Sequence, residues 1–376
     1  MMKRILPYAA AALLLHSCAE APIKITVGNS LDFDRQNEMV EIDASLIPAD
    51  FKNKTYILRN AQGQECPWQL SDNESLFIFQ ASVPAGKSVT YELRQGLPRP
   101  VTPRTDARFV PQRKDDLSWE NDMAAYRMYG PALAPENPSN GVDLWLKCTD
   151  SLVTAKLYAD ELERGISYHE NHSGLGLDCY DVKHTAGAGG IAPYTSRLWT
   201  GNHFNRHAIH QNGPLRSIFT LSYDNAPVDS LAYRQEITIT ATAGSLLNKA
   251  AVSYHGPAAD MKLAAGIYLH DGSGNMYADP ASSLIGYAEQ ALSGLKKEPQ
   301  GKNYAGVYLP GSSGIITQDN HLLILKDYRP GDTITYYFGG GWSKWKYPTE
   351  QEWFAALAQF SAALRQPFNI QITKQD

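Results

Sequence analysis

"RSIFTLSYDNAPVDSLAYRQEITITATAGSLLNKAAVSYHG", residues 216–256, decides the fold class. It contains three segments that read as strands, RSIFTLSYD (216–224), YRQEITITATAG (233–244) and KAAVSYHG (249–256), separated by residues of turn chemistry. Similar segments lie on both sides, at 124–130, 142–149, 262–270, 303–310, 321–328 and 333–342. Their spacing suits a large antiparallel sandwich rather than an alternating α/β chain. Four earlier segments, at 23–31, 54–60, 75–83 and 88–96, predict a smaller β-sandwich ahead of it. The proline-rich stretch GLPRPVTPRTD (96–106) reads as the linker between the two.

One helix is clear. TEQEWFAALAQFSAALRQP (349–367) opens on Thr349 with Glu352 three residues later, the spacing of a capping box. Trp353, Leu357, Phe360 and Leu364 then recur on one face, and Pro367 ends the helix before a final strand, FNIQI (368–372). A shorter helix around 152–162 is compatible with the pattern. The expected class is therefore all-β: a large antiparallel supersandwich, a smaller N-terminal β-sandwich and one C-terminal helix. The expected organisation is a signal segment at 1–17, an N-terminal sandwich at 18–102 and the supersandwich domain at 103–376.

The chain has 376 residues, 43% hydrophobic and 19% charged, with a net charge of −5 and no long Lys/Arg run past its start. That balance argues against nucleic acid as a partner. The start, MMKRILPYAAAALLLHSC, has a basic head (Lys3, Arg4), a short apolar stretch and a small residue before Cys18. It reads as an export signal too short to span a membrane. Leu15-His16-Ser17-Cys18 resembles a bacterial lipobox, with His16 a departure from it. The expectation is lipidation at Cys18 and a lipid-anchored protein of the periplasm or outer membrane. Cys66, Cys148 and Cys179 remain, an odd set without CxxC spacing, so neither a disulfide framework nor a zinc ribbon is expected.

The most chemically loaded segment is SYHENHSGLGLDCYDVKH (167–184). HENH is one residue short of the HExxH zinc motif, and the SGLG that follows breaks a helix, so a zincin is not expected. A wrapped loop leaves open a calcium or zinc site built from His169, His172, Asp178 and Asp181. A polar loop whose histidines only hydrogen-bond and cap turns is the plain structural alternative. Alternation in LDCYDV places Asp178, Tyr180 and Val182 on one face. The three histidines of HFNRHAIH (203, 207, 210) read as hairpin and strand rather than as a metal face.

Five further stretches carry a family likeness: WENDMAAYRMYGPAL (119–133), NGVDLWLKCT (140–149), YHENHSGLGLDCYDVKHTAGAGGIA (168–192), NGPLRSIFTLSY (212–223) and GGWSKWKYPTEQEWFAAL (340–357). Together they resemble domain of unknown function 4861, a family of exported proteins from bacteria that degrade plant and algal polysaccharides. One departure is Met123, where that family commonly has Arg. The resemblance implies a supersandwich of the galactose-mutarotase-like type and a part in breaking down uronic-acid-containing glycans.

For such a substrate, β-elimination needs a base for the C5 proton, an acid for the leaving oxygen and a cation on the carboxylate. His172 or Tyr180 serves as base or acid in this reading, with His169 and Asp178 beside them and Arg127 or Arg216 as a bidentate carboxylate clamp. Glu120, Tyr129, Arg216 and Trp342 are the expected substrate contacts, with Trp345 structural. Glycoside hydrolysis would instead draw two carboxylates from Glu120, Asp122, Asp178 and Asp181. The alternative is a glycan-binding lipoprotein without catalysis. The expected partner is an acidic oligosaccharide.

Overall fold

The computed structural model describes residues 22–47, 54–136 and 140–374. The stretch read as an export signal, with Cys18, lies outside the described residues. The fold is all-β, with antiparallel sheets throughout and two α-helices, α1 (Thr154–Arg164) and α2 (Glu350–Arg365).

The largest sheet has eight strands, and Arg216–Val228, Leu231–Thr242, Asn248–His255 and Thr333–Trp342 are neighbours near its middle. In Leu231–Thr242 the inner positions Ile237, Ile239 and Ala241 are buried, while Thr238, Thr240 and Thr242 face outward. The inner face meets a second layer made of two smaller sheets. One is five-stranded, from Asp106–Val110 to Gly176–Asp178, and the other is four-stranded, from Ala188–Tyr194 to Gly314–Gln318. A parallel bridge between Val142 and Gly187 links them. A single apolar cluster, including Trp119, Tyr126, Phe219, Ile239, Ile267, Val307 and Phe338, fills the space between the layers. This is a large supersandwich.

Helix α2 lies on the outer face of the eight-stranded sheet. Thr349 Oγ1 accepts from the Glu352 amide, and the Glu352 carboxylate accepts in return from the Thr349 amide at 2.9 Å, the reciprocal capping box expected from the sequence. Trp353 and Leu357 are buried against Leu284, Ala288, Tyr304 and Tyr308. The sheet accommodates the helix closely because two of its positions lack side chains: a Cβ at Gly286 or Gly306 would come within 2.8 or 2.4 Å of Leu357 methyl carbons.

The N-terminal sandwich has its own core, with Ile25, Val27, Leu58, Phe77, Phe79 and Leu93 between a five-stranded and a three-stranded sheet. The final strand, Asn369–Thr373, was expected with the larger domain. It instead pairs antiparallel with Ile23–Gly28 and lays Ile370 and Ile372 against the N-terminal core. After α2 the chain returns to the first sheet and takes the edge position that Ile23–Gly28 would otherwise hold.

Leu357→Ala should cost about 2–5 kcal/mol, because a Leu side chain wedged between two glycines leaves a cavity that the sheet cannot collapse into. Chemical denaturation checks this, and a loss below about 1 kcal/mol would show that α2 rests loosely on the sheet.

Candidate functional site

The five-stranded sheet has two unlike faces. One carries Leu117, Trp119, Tyr126, Leu144, Leu146 and Leu177 into the main core. The other carries Asp116, Ser118, Glu120, Arg127, Asp143, Trp145, Lys147 and Asp178, all buried. Helix α1 and the turn at 166–172 cover this charged face with Val153, Leu157, Tyr158 and Tyr168, packed on Trp145.

Charges sealed in this way must be paired, since burying a lone ion is far too costly. Lys147 Nζ lies 2.7 Å from Glu120 Oε2. Glu120 also accepts from the amides of Val153 at 2.9 Å and Thr154 at 2.8 Å, so it caps α1 from a neighbouring strand. Arg127 is cross-strand from Asp143. Its Nη2 lies 2.7 Å from Asp143 Oδ2 and 2.8 Å from Asp178 Oδ2, and its Nη1 lies 3.5 Å from Asp116 Oδ2. It also donates to the hydroxyls of Tyr168 at 3.1 Å and Tyr129 at 3.0 Å. Burial works against the guanidinium charge, but Tyr129, Asp143 and Asp178 more than offset it and keep Arg127 ionised. One cation cannot balance three carboxylates. Burial first, and the neighbouring Asp178 charge second, push Asp143 up to about 7.

His169 connects this buried cluster to solvent. His169, whose side chain is 34% exposed, places Nδ1 3.1 Å from the Asp178 carbonyl oxygen and 3.4 Å from Asp178 Oδ2. The Asp178 carbonyl can only accept, so it puts the proton on Nδ1 and leaves Nε2 unprotonated in the neutral ring, with the Asp178 carboxylate close beside. No described residue hydrogen-bonds Nε2. The loop at 293–298 is tied to the same turn. The Gly294 amide donates to the His169 carbonyl at 2.9 Å, and Glu170 Oε1 accepts from the amides of Leu295 at 3.0 Å and Lys296 at 2.8 Å. Lys296 and Lys297 on that loop are exposed. His172 is exposed on the turn itself, with only its backbone amide bonded, to the Glu170 carbonyl.

Several expected contacts are instead internal. Arg127 and Tyr129 are committed to the buried cluster and do not clamp a ligand. Glu120 is the α1 cap and the partner of Lys147. Tyr180 is buried with its hydroxyl donating to the Tyr268 carbonyl, and burial pushes its pKa well above the ordinary phenol range, so it does not serve as acid or base. Arg216 is buried in an ion pair with Glu41 of the N-terminal sandwich. Trp342 is 1% exposed and donates its indole N–H to Gln300, whereas Trp345 is the partly exposed one of the two. Asp122 is enclosed by Arg104 and the Gly244 amide. Asp181 is exposed beside Lys183.

The four residues of the open metal reading do not converge. His169 and Asp178 meet, but Asp178 is engaged by Arg127, and no group of three His, Cys, Asp or Glu side chains among the described residues forms a metal-binding set. Of the HFNRHAIH histidines, His207 stacks on Phe109 and His210 bonds Thr220 on an exposed strand.

The sequence reading passed over Asp143, Asp116, Tyr168 and the pair His270–Glu289. The signal for Asp143 was present: Asp143, Trp145 and Lys147 alternate within an otherwise apolar strand. His270 Nδ1 lies 2.6 Å from Glu289 Oε1, and its Nε2 lies 3.0 Å from the Asp181 carbonyl oxygen. This pins the segment after Asp178 onto the sheets, through residues too far apart in sequence to be paired by spacing.

Because the folded Asp143 carboxyl is held at about 7 and an ordinary one titrates at 3.8, the folded protein keeps a proton that the unfolded chain has lost between those values. Stability should therefore fall as pH rises through that window. Asp143→Asn, which stays neutral, should flatten the decline in thermal midpoint between about pH 5 and pH 7. An equal decline in both proteins would place the proton elsewhere.

The family model described as "Domain of unknown function (DUF4861)" matches residues 27–370. "Uncharacterized protein P7" of Formosa agariphila is 28% identical over 397 aligned positions, covering 98% of each chain. Among solved structures, a protein in glycosyl hydrolase family 38 from Enterococcus faecalis is 9% identical with a TM-score of 0.49, over 94% of this chain and 47% of its own. An α-mannosidase from Enterococcus faecalis V583 is 9% identical with a TM-score of 0.46, over 94% of this chain and 46% of its own. The chain thus spans about half the length of those two enzymes, and likeness at that level says nothing of substrate or reaction. The family match, by contrast, runs through nearly all the described residues, and this chain belongs to the DUF4861 family.

Proposed function

We propose that the protein is an exported, lipid-anchored enzyme of glycan breakdown that cleaves uronic-acid-containing oligosaccharides by β-elimination, with His169 as the general base. The observation that carries this reading is the His169–Asp178–Arg127 chain. Asp178 holds Nδ1 of an imidazole whose Nε2 is open, and Arg127 holds Asp178.

In the proposed step, His169 Nε2 takes the C5 proton of the uronate. The imidazolium that results is stabilised by Asp178 at Nδ1. Lys296 and Lys297 stand on the loop bonded to the His169 carbonyl and the Glu170 carboxylate and are the cations available to neutralise the substrate carboxylate, the role first given to Arg127 and Arg216. His172, on the same turn, supplies a second imidazole for the leaving oxygen. Elimination is favoured over hydrolysis by the fate of the carboxylates. Glu120, Asp122 and Asp178 are each enclosed with a cation, which leaves Asp181 as the exposed member of the four. Hydrolysis needs two carboxylates flanking one bond. The lipobox likeness at Cys18 supports the anchor and a place in the periplasm or outer membrane.

The test is incubation with a panel of uronate oligosaccharides, reading ultraviolet absorbance of the new C4–C5 double bond against new reducing ends. His169→Ala should lower kcat by about 10²–10⁴-fold with an unchanged thermal midpoint. Reducing ends without absorbance would replace elimination by hydrolysis, and binding without any product would leave a glycan-binding protein. Full activity in His169→Ala would remove the base assigned here.

A further inference from the structure

A second site lies on the opposite side of the molecule's largest sheet. A cleft of about 690 Å³ opens where the outer face of the eight-stranded sheet, the strand Arg35–Asp43 of the N-terminal sandwich and helix α2 come together. That volume falls in the range of sites that enclose small ligands. Register builds its floor: Thr240, Lys249 and Tyr337 are direct cross-strand partners on three adjacent strands, so their side chains stand in one row. All three line the cleft. The strand alternation that buries Ile239, Ala250 and Phe338 on the inner face is what turns this row outward.

The chemistry of that row is specific. Lys249 is exposed and forms no ion pair with any described residue. Beside it, Tyr337 is half-buried, with Tyr308 stacked at 5.7 Å and Phe360 in a near-perpendicular contact at 5.7 Å holding its ring in place. At the far wall Arg216 is buried, one of its terminal nitrogens paired with Glu41, while its Nε faces no acceptor. A fixed aromatic ring beside a free ammonium, with threonine hydroxyls on the floor, presents a surface for a ring that is apolar on its faces, hydroxylated at its rim and anionic at one substituent.

We infer that this cleft binds a short oligosaccharide carrying a uronic-acid carboxylate, with Lys249 on the carboxylate and Tyr337 against a sugar ring. The site is separate from His169 and holds glycan without cleaving it. A chain bound there would stay with the protein between turnovers, raising the local concentration of substrate.

The test uses the protein carrying His169→Ala, so that no ligand is consumed. Calorimetric titration is made with tetrasaccharides prepared from pectate, alginate and glucuronan, and with cellotetraose as the neutral probe. At least one uronate tetramer should bind. Lys249→Ala should weaken it about ten-fold or more, as expected for a lost charged hydrogen bond, and Lys249→Arg should restore most of the affinity. Tyr337→Ala should weaken it as well, with Lys249→Ala guarding against any effect of repacking beside Phe360. The inference is overturned if no uronate tetramer binds, if Lys249→Ala binds as its parent does, if Lys249→Arg fails to restore binding, or if cellotetraose binds as tightly. Each result stands apart from the kinetics of His169, because the parent in this titration already lacks that side chain.

Discussion

One guanidinium set among three aspartates inside a β-sheet is the constraint on which the rest of this structure turns. Arg127 reaches Asp143, Asp178 and Asp116 while only 1% exposed. In so dry a setting an unpaired charge costs several kcal/mol, and removing one partner of a buried pair costs about 3–5 kcal/mol. The cluster therefore needs a cover, and α1 with the turn at 166–172 provides it. The cover needs an anchor, and Glu120 caps α1 from within the same charged face. Burial first, and the neighbouring Asp178 charge second, raise Asp143, and Asp178 is left to orient His169. A chain of packing and charge thus runs from the sheet interior to one imidazole at the surface.

Much of the fold was legible because it depends on local pattern. Strand alternation and turn residues marked the supersandwich, and the Thr349–Glu352 box marked α2 to its first turn. The cluster at 167–184 was legible as chemistry, since so many titratable residues crowd into it, although Gly176–Asp178 within it is a buried strand. Its geometry was not. Alternation in WENDMAAYRMYG is the same whether Arg127 faces water or a covering helix, and that helix is encoded by residues 154–164. The sequence also gives no hint that Asn369–Thr373 returns to pair with Ile23–Gly28, because sheet partners are set by the whole fold. Trp342 is buried rather than cleft-facing for a similar reason: the end of the strand Thr333–Trp342 is still core, and the chain emerges only after it.

The two faces of the supersandwich take on different tasks. The second layer holds charge inside itself and exposes it at a single turn. The eight-stranded sheet keeps its inner face apolar and leaves part of its outer face open between the N-terminal sandwich and α2, where Lys249 and Tyr337 stand in one row. Both features arise from the same period of two, read on different sheets. The glycines at 286 and 306 matter to this division, since they let α2 sit close enough to form one wall of that opening.

The central claim is that the buried cluster fixes the proton on Nδ1 of His169 and leaves Nε2 as the base. Two-dimensional ¹⁵N–¹H spectra of ¹⁵N-histidine-labelled protein, assigned with His169→Ala, read the tautomer directly at a pH where the ring is neutral. The account predicts a protonated Nδ1 and an unprotonated Nε2 for His169, a preference that Asp178→Asn should leave in place because the backbone carbonyl holding Nδ1 remains. A ring protonated at Nε2 in either protein would contradict it.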